Sequence, residues 1–215
     1  MKSKKPIQDE ENQGIRLYRR RNKVISASLC SLAVLLPLAS LTSATAAPIT
    51  VKGKYTLSAK NLETRFSVKV IGGSKITGVF KSVHGQMSLN SLSPQKSSVK
   101  VTVDLDSVET ENPLITNFLK GPSMFDVKNH PTADFISTRV SKVDEKTANV
   151  EGVLDMRGKR QRTSLTVSLT GKDPNGTIHF TVNGGFFRGL YGMNIGQPIY
   201  GDKVRLNISG TSAPR

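Results

Sequence analysis

The sequence predicts an all-β fold, because short alternating segments separated by turn signals recur from residue 51 to residue 208, while helix signals are confined to one place. Val99, Val101, Val103 and Leu105 alternate with Lys100, Thr102 and Asp104, the period of a strand with one buried and one wet face. Eight or nine such segments with almost no helix fit either a sandwich or a closed antiparallel barrel, and periodicity does not choose between them.

Taken in order, residues 51–57 open the series. Residues 64–70 follow, with Phe66, Val68 and Val70 on one face and Arg65, Ser67 and Lys69 on the other, and Gly72-Gly73 turns the chain. Residues 76–80 and 83–89 are extended and read as one strand bent near Ser82. After residues 99–105, the alternation resumes at 135–140, 148–156, 164–169, 177–182 and 203–208. Asp173-Pro174-Asn175-Gly176 has the composition of a hairpin turn.

The stretch from Ser107 to Pro131 interrupts this pattern. Asn112 is a helix cap and Pro113 suits a first turn, where its missing N–H costs nothing, so residues 113–120 read as a short helix closed by Gly121-Pro122. Phe118, Leu119, Met124 and Phe125 either close one end of the domain as a lid or staple the insertion onto it.

At the N-terminus, Arg19-Arg20-Arg21-Asn22-Lys23 precedes an apolar run over residues 24–41 and the small-residue site Ala44-Thr45-Ala46. This is the pattern of a cleaved secretory signal, residues 1–46, with an uncleaved anchor as the competing reading. The single cysteine, Cys30, falls in that segment, so residues 47–215 form one cysteine-free domain that depends on its core. The first 46 residues hold 8 of the 31 basic and 3 of the 16 acidic residues, which leaves 23 against 13, a net charge of +10 on the domain. In an exported protein, that balance suits an anionic membrane surface, a pyrophosphate or a polyanionic envelope better than nucleic acid, or it serves solubility alone.

Several motifs in order resemble the YceI-like family of exported lipid- or polyisoprenoid-binding proteins. They are Tyr55-Thr56-Leu57, then Ile76-Thr77-Gly78-Val79-Phe80 and Gly85, then Ser107-Val108-Glu109-Thr110 with Phe125-Asp126 and Pro131. Gly152-Val153-Leu154 with Arg157-Gly158 follows, and Arg188 with Tyr191-Gly192-Met193 and Asp202 comes last. The resemblance implies a periplasmic or secreted, lipocalin-like, up-and-down antiparallel β-barrel of about eight strands, with a short helical insertion near residues 112–126. It also implies an apolar tunnel for an isoprenoid, quinone or other long-chain lipid, and no catalysis. Ser58, Asn61-Leu62, Val70, Ile115-Thr116 and Phe118 stand where the family usually carries polar or histidine residues, which makes the helical region more apolar than the family norm.

Inward parity then nominates the tunnel lining: Phe66, Val68, Val70 and Phe80 from the first half, Val101, Val103 and Phe135 from the middle, and Leu154, Met156, Val167, Phe180 and Val182 from the last strands. Each of these also serves as ordinary core. Arg157 and Arg188 are the candidates for a lipid head group or the tunnel mouth, near the charge run Lys159, Arg160 and Arg162, whose plainer reading is a solvated turn. His84, His130 and His179 sit in separate segments without metal-ligand spacing, and no nucleophile–base pair is apparent, so neither metal nor enzymatic chemistry is expected. The alternative is a basic surface-binding or stress protein with a packed interior. The sequence leaves monomer and homodimer open.

Overall fold

The computed structural model describes residues 49–215, so the expected signal segment lies outside the described residues. Eleven antiparallel strands form one continuous ladder: β1 (Lys52–Ser58), β2 (Leu62–Val70), β3 (Lys75–Phe80), β4 (Val83–Asn90), β5 (Ser98–Asp104), β6 (Val108–Thr110), β7 (Thr132–Lys142), β8 (Thr147–Met156), β9 (Lys159–Lys172), β10 (Ile178–Phe187) and β11 (Tyr200–Ser212). Their spatial order is β1-β4-β5-β7-β8-β9-β10-β11-β2-β3-β6.

The count of about eight is corrected upward for a local reason. β3 and β4 are two halves of one long strand that breaks at Lys81-Ser82, and β5 and β6 are its partner, broken opposite by a 3₁₀ turn at Leu105–Ser107. The break is fixed by side chains. Asp104 accepts from the Asp106 N–H (3.0 Å), and Ser107 Oγ accepts from the Ser82 N–H (2.9 Å). Val108–Thr110, expected to be irregular, therefore pairs with β3 as Phe80↔Val108 and Gly78↔Thr110.

The two halves curl the sheet into a barrel. Its seam is joined where Tyr55 bridges Pro214, the Arg215 N–H donates to the Lys54 carbonyl (2.8 Å), and Ser212 Oγ donates to the Thr56 carbonyl (2.8 Å). Joining the seam leaves little unpaired edge for another chain to add to.

Turn chemistry sets the register. β8 and β9 meet through the two-residue turn Arg157-Gly158, whose φ values of 54° and 67° are both left-handed, as the twist of a two-residue hairpin demands. The helix α1 (Pro113–Lys120) forms as expected, with Asn112 Oδ1 accepting from the Leu114 N–H (2.9 Å) and the Gly121 N–H closing onto the Phe118 carbonyl (3.1 Å). Leu119 is its buried residue, whereas Leu114 and Phe118 face outward.

The interior falls into two parts. At one end, Phe66, Leu105, Val108, Leu119, Met124, Phe125, Met156, Tyr191 and Met193 pack as a plug beneath the insertion. Toward the other end, Leu57, Met87, Ile178, Phe180 and Val182 form a second cluster, and Phe135, Val140 and Val150 a third.

Candidate functional site

The second and third clusters do not fill their end of the barrel. They wall an apolar cavity of about 180 Å³ lined by side chains from nine of the eleven strands. Six of the nominated residues face it: Val101, Val103, Phe135, Val167, Phe180 and Val182. Phe135 reaches it because Gly152 lies beneath its ring, where a Cβ would meet the ring at 2.5 Å and the Ile136 carbonyl at 2.6 Å. Met87, Val99, Val140, Val150, Leu165 and Ile208 line the cavity as well. Parity signalled Val99, and cross-strand register sets others beside known neighbours, Val150 between Val140 and Leu165 and Ile208 next to Val182.

Five other nominees are corrected from tunnel lining to plug. Phe66, Val68, Phe80 and Met156 belong to the packed end, where the Phe66 and Phe80 rings stand 5.4 Å apart and the Phe80 and Phe125 rings 5.7 Å, and Leu154 packs against both the plug and the third cluster without lining the cavity. They have the right parity at the wrong height, because the insertion folds Leu119, Met124 and Phe125 onto them. Val70 is corrected too: it lies at the end of β2, paired with Tyr200, in neither cluster. A single tunnel through the barrel is thus divided by the plug.

Both arginines leave the mouth. Arg188 is only 2% exposed, and its guanidinium donates to the carbonyls of Gly201 (3.1 Å), Ile195 (2.9 Å), Tyr200 (2.9 Å) and Met193, which organises the chain between β10 and β11. Burial pulls its pKa below the ordinary guanidinium value, and Asp202 opposes this in part. Arg157 donates to the Pro122 carbonyl (2.9 Å) and, at 3.4 Å, to that of Tyr191, which ties the β8–β9 turn to the insertion at the plugged end. Lys159, Arg160 and Arg162 are strand residues of β9 rather than a turn. Tyr191 itself packs edge-on to Phe186, with ring centroids 5.6 Å apart. Its hydroxyl donates to the Leu154 carbonyl (3.3 Å), and burial, aided by Asp155, pushes its pKa up to about 12.

The cavity opens at the other end, between the loop that joins β4 to β5 and the turn that joins β7 to β8. Asn90, Ser91, Pro94 and Ser97 line one side, and Lys142, Asp144, Glu145 and Lys146 the other. The turn is internally neutralised: Lys142 pairs with Glu145 (2.6 Å), and Asp144 accepts from the Lys146 N–H (2.8 Å). Leu92 and Val143, on these two loops, are 78% and 64% exposed. One polar atom inside is unusual. Thr64, 4% exposed and on the cavity wall, carries a buried Oγ1 with no hydrogen-bond partner among the described residues.

Among the described residues, no three His, Cys, Asp or Glu side chains gather as a metal site. Apart from Thr64, the cavity has hydrocarbon walls and a polar rim, an arrangement suited to holding an apolar group.

Comparison with known proteins agrees on the architecture. The chain is 31% identical over 121 residues to a UPF0312 protein of Pseudomonas syringae pv. tomato, spanning 55% of this chain and 63% of that protein. It is 29% identical over 155 residues to one from Pectobacterium carotovorum, covering 71% and 78%. The chain thus spans less than two thirds of the Pseudomonas relative's length. Its fold matches Burkholderia cenocepacia BcnA (TM-score 0.65, 20% identity, 71% of this chain and 96% of that one). It also matches a polyisoprenoid binding domain from Saccharophagus degradans (TM-score 0.57, 14% identity, 76% and 99%). The YceI-like domain model matches residues 55–212, from the first strand of the barrel to the last, and the chain belongs to that family.

Proposed function

We propose that this protein is an exported binding or carrier protein, not an enzyme, that holds the hydrocarbon of an isoprenoid or other long-chain lipid in the open half of its barrel. The apolar cavity of about 180 Å³ carries the reading, and the shared fold with a polyisoprenoid binding domain supports it.

Its size sets limits. An apolar cavity of roughly 150 Å³ accepts a benzene ring, so this one takes a ring or about one prenyl unit. At ~0.8 kcal/mol per carbon removed from water, a five-carbon unit contributes about 4 kcal/mol, which corresponds to only about millimolar affinity before association costs. A useful complex therefore buries more of the chain. Two surfaces are available for this: Leu92 and Val143 at the rim, and the Phe66–Phe80–Phe125 plug beneath the cavity, which must yield to a longer chain. Thr64 Oγ1 supplies one hydrogen bond to an oxygen on the buried part of the ligand, which relieves a group that is otherwise desolvated without a partner.

The test is native mass spectrometry of the full chain after expression in an exporting bacterial host, followed by organic extraction. A stoichiometric lipid adduct, lost on extraction and restored by polyprenol, is the expected result. A bare mass that stays bare after incubation with polyprenol refutes the reading in favour of a packed, surface-binding protein.

A further inference from the structure

A second hollow lies on the outside of the barrel, where β9, β10, β11, β2 and β3 curve together into an open groove of about 1020 Å³. It shares no lining residue with the interior cavity. Cross-strand register shows how it is built. One row across the outer face reads Gly185↔Arg205↔Ser67↔Thr77, and the next reads Asn183↔Asn207↔Arg65↔Val79. Arg205 thus has a glycine and a serine as its neighbours across the row. Gly185 cannot be replaced by a larger residue, because a Cβ there would lie 2.1 Å from the Val204 carbonyl oxygen.

Five cations line the groove: Arg162 on β9, Lys203 and Arg205 on β11, Arg65 on β2 and Lys75 on β3. Arg65 is paired with Glu63, whereas Arg162, Lys75, Lys203 and Arg205 take part in no ion pair among the described residues. The acids in the lining, Glu109 and Glu111, sit together at the β6 margin, and Glu109 is held by Lys81 (3.5 Å). With neighbouring strands ~4.8 Å apart, the five strands span roughly 20 Å; β11, β2 and β3, which carry four of the cations, are adjacent, and Arg162 on β9 lies two strands, about 10 Å, from β11. Hydroxyls and amides from Ser67, Thr77, Ser164, Asn183 and Asn207 lie among them, together with apolar surface from Val79, Phe187 and Leu190.

We propose that this groove binds an acidic polysaccharide, whose carboxylates take the arginines and whose hydroxyls take the amide and hydroxyl floor. Guanidinium–carboxylate pairs are planar and bidentate, which suits arginine over a diffuse lysine patch. A flat bilayer does not reach a concave floor. Single-stranded nucleic acid wants a row of stacking platforms, and the aromatic ring exposed here, Phe187, already has the Lys203 ammonium 6.0 Å from its centroid. The proposal does not depend on lipid occupying the interior.

The experiment is calorimetric titration of the full chain with short oligogalacturonate at near-physiological ionic strength, alongside polyphosphate, oligodeoxythymidylate and anionic vesicles. Arg205→Glu and, separately, Arg162→Glu are expected to weaken oligogalacturonate binding by about tenfold or more, because each removes a charge-assisted contact. Lys100→Glu, on the exposed face of β5 with the same change in net charge, is expected to leave it within about twofold, since distant exposed charges are screened. Thermal unfolding of each variant confirms that it folds, and Arg205→Gln serves if the reversal does not. Absence of wild-type binding overturns the proposal, as does an equal loss in Lys100→Glu, or an Arg205-dependent preference for polyphosphate, oligodeoxythymidylate or vesicles.

Discussion

Replacing Val167 by phenylalanine separates a cavity from a packed core. Val167 lies mid-strand in β9, opposite Val182 on one side and Ala148 on the other, and its side chain faces the cavity. Phenylalanine adds about four carbons, worth up to ~3 kcal/mol if fully buried. Lost rotamer freedom and imperfect fit reduce that to a net gain of about 1 kcal/mol. A cavity of about 180 Å³ has room for the ring. If the interior were close-packed, the same substitution would instead cost about 1–3 kcal/mol through overpacking. Denaturant unfolding therefore reads the sign directly, and in a heat scan the gain appears as a rise of about 2–4 °C. Displacement of a fluorescent polyene by polyprenol gives the second measurement, and it is expected to be abolished in Val167→Phe. A variant that is destabilised by more than about 1 kcal/mol and still binds polyprenol like the wild type would refute the cavity as a binding site.

Thr64→Val is expected to raise stability by about 1 kcal/mol, because it removes an unpaired buried hydroxyl, while weakening binding of an oxygenated prenyl lipid relative to the matching hydrocarbon. Competition binding with such a ligand pair checks it. Phe125→Ala shortens the plug and should cost about 3–5 kcal/mol by denaturant unfolding while extending the longest prenyl chain retained in native mass spectra. Arg188→Lys leaves most of four carbonyls without a donor and should cost about 2–4 kcal/mol, with the interior site intact, as seen by unfolding and polyene binding together. Tyr191 holds its proton in the folded state to a pKa of about 12, against about 10 unfolded. The stability it contributes is therefore full below pH ~10 and is lost as pH rises toward ~12, a decline of about 2–3 kcal/mol. Tyr191→Phe should remove that part of the alkaline decline, as measured by unfolding midpoints across the range.

The elements themselves were legible in sequence because their signals are local. Alternation marked most of the strands, with β3 and β4 read as one bent strand, and Asn112-Pro113 and Gly121-Pro122 bounded the helix where it is found. β9 runs from Lys159 to Lys172, well beyond the alternating 164–169, because Gln161 and Thr163 hold the inward parity there and carry no hydrophobic signal. β6 was hidden because a three-residue strand is too short to show a period.

Parity by itself determined which side chains point inward, and it was right for Phe66 and Val167 alike. What parity lacks is height along the barrel. Only the tertiary fold decided that Phe66, Phe80 and Met156 lie beneath Leu119 and Phe125 in a plug, while Val101, Val167 and Phe180 face open space. The same holds for charge. From sequence Arg188 is the candidate for a head group and nothing marks Arg205, but burial among four carbonyls makes the first a structural brace, while the second stands on the outer face between Gly185 and Ser67 with no ion pair among the described residues. Depth, register across strands and partner count are properties of contacts distant in sequence, which no local pattern encodes.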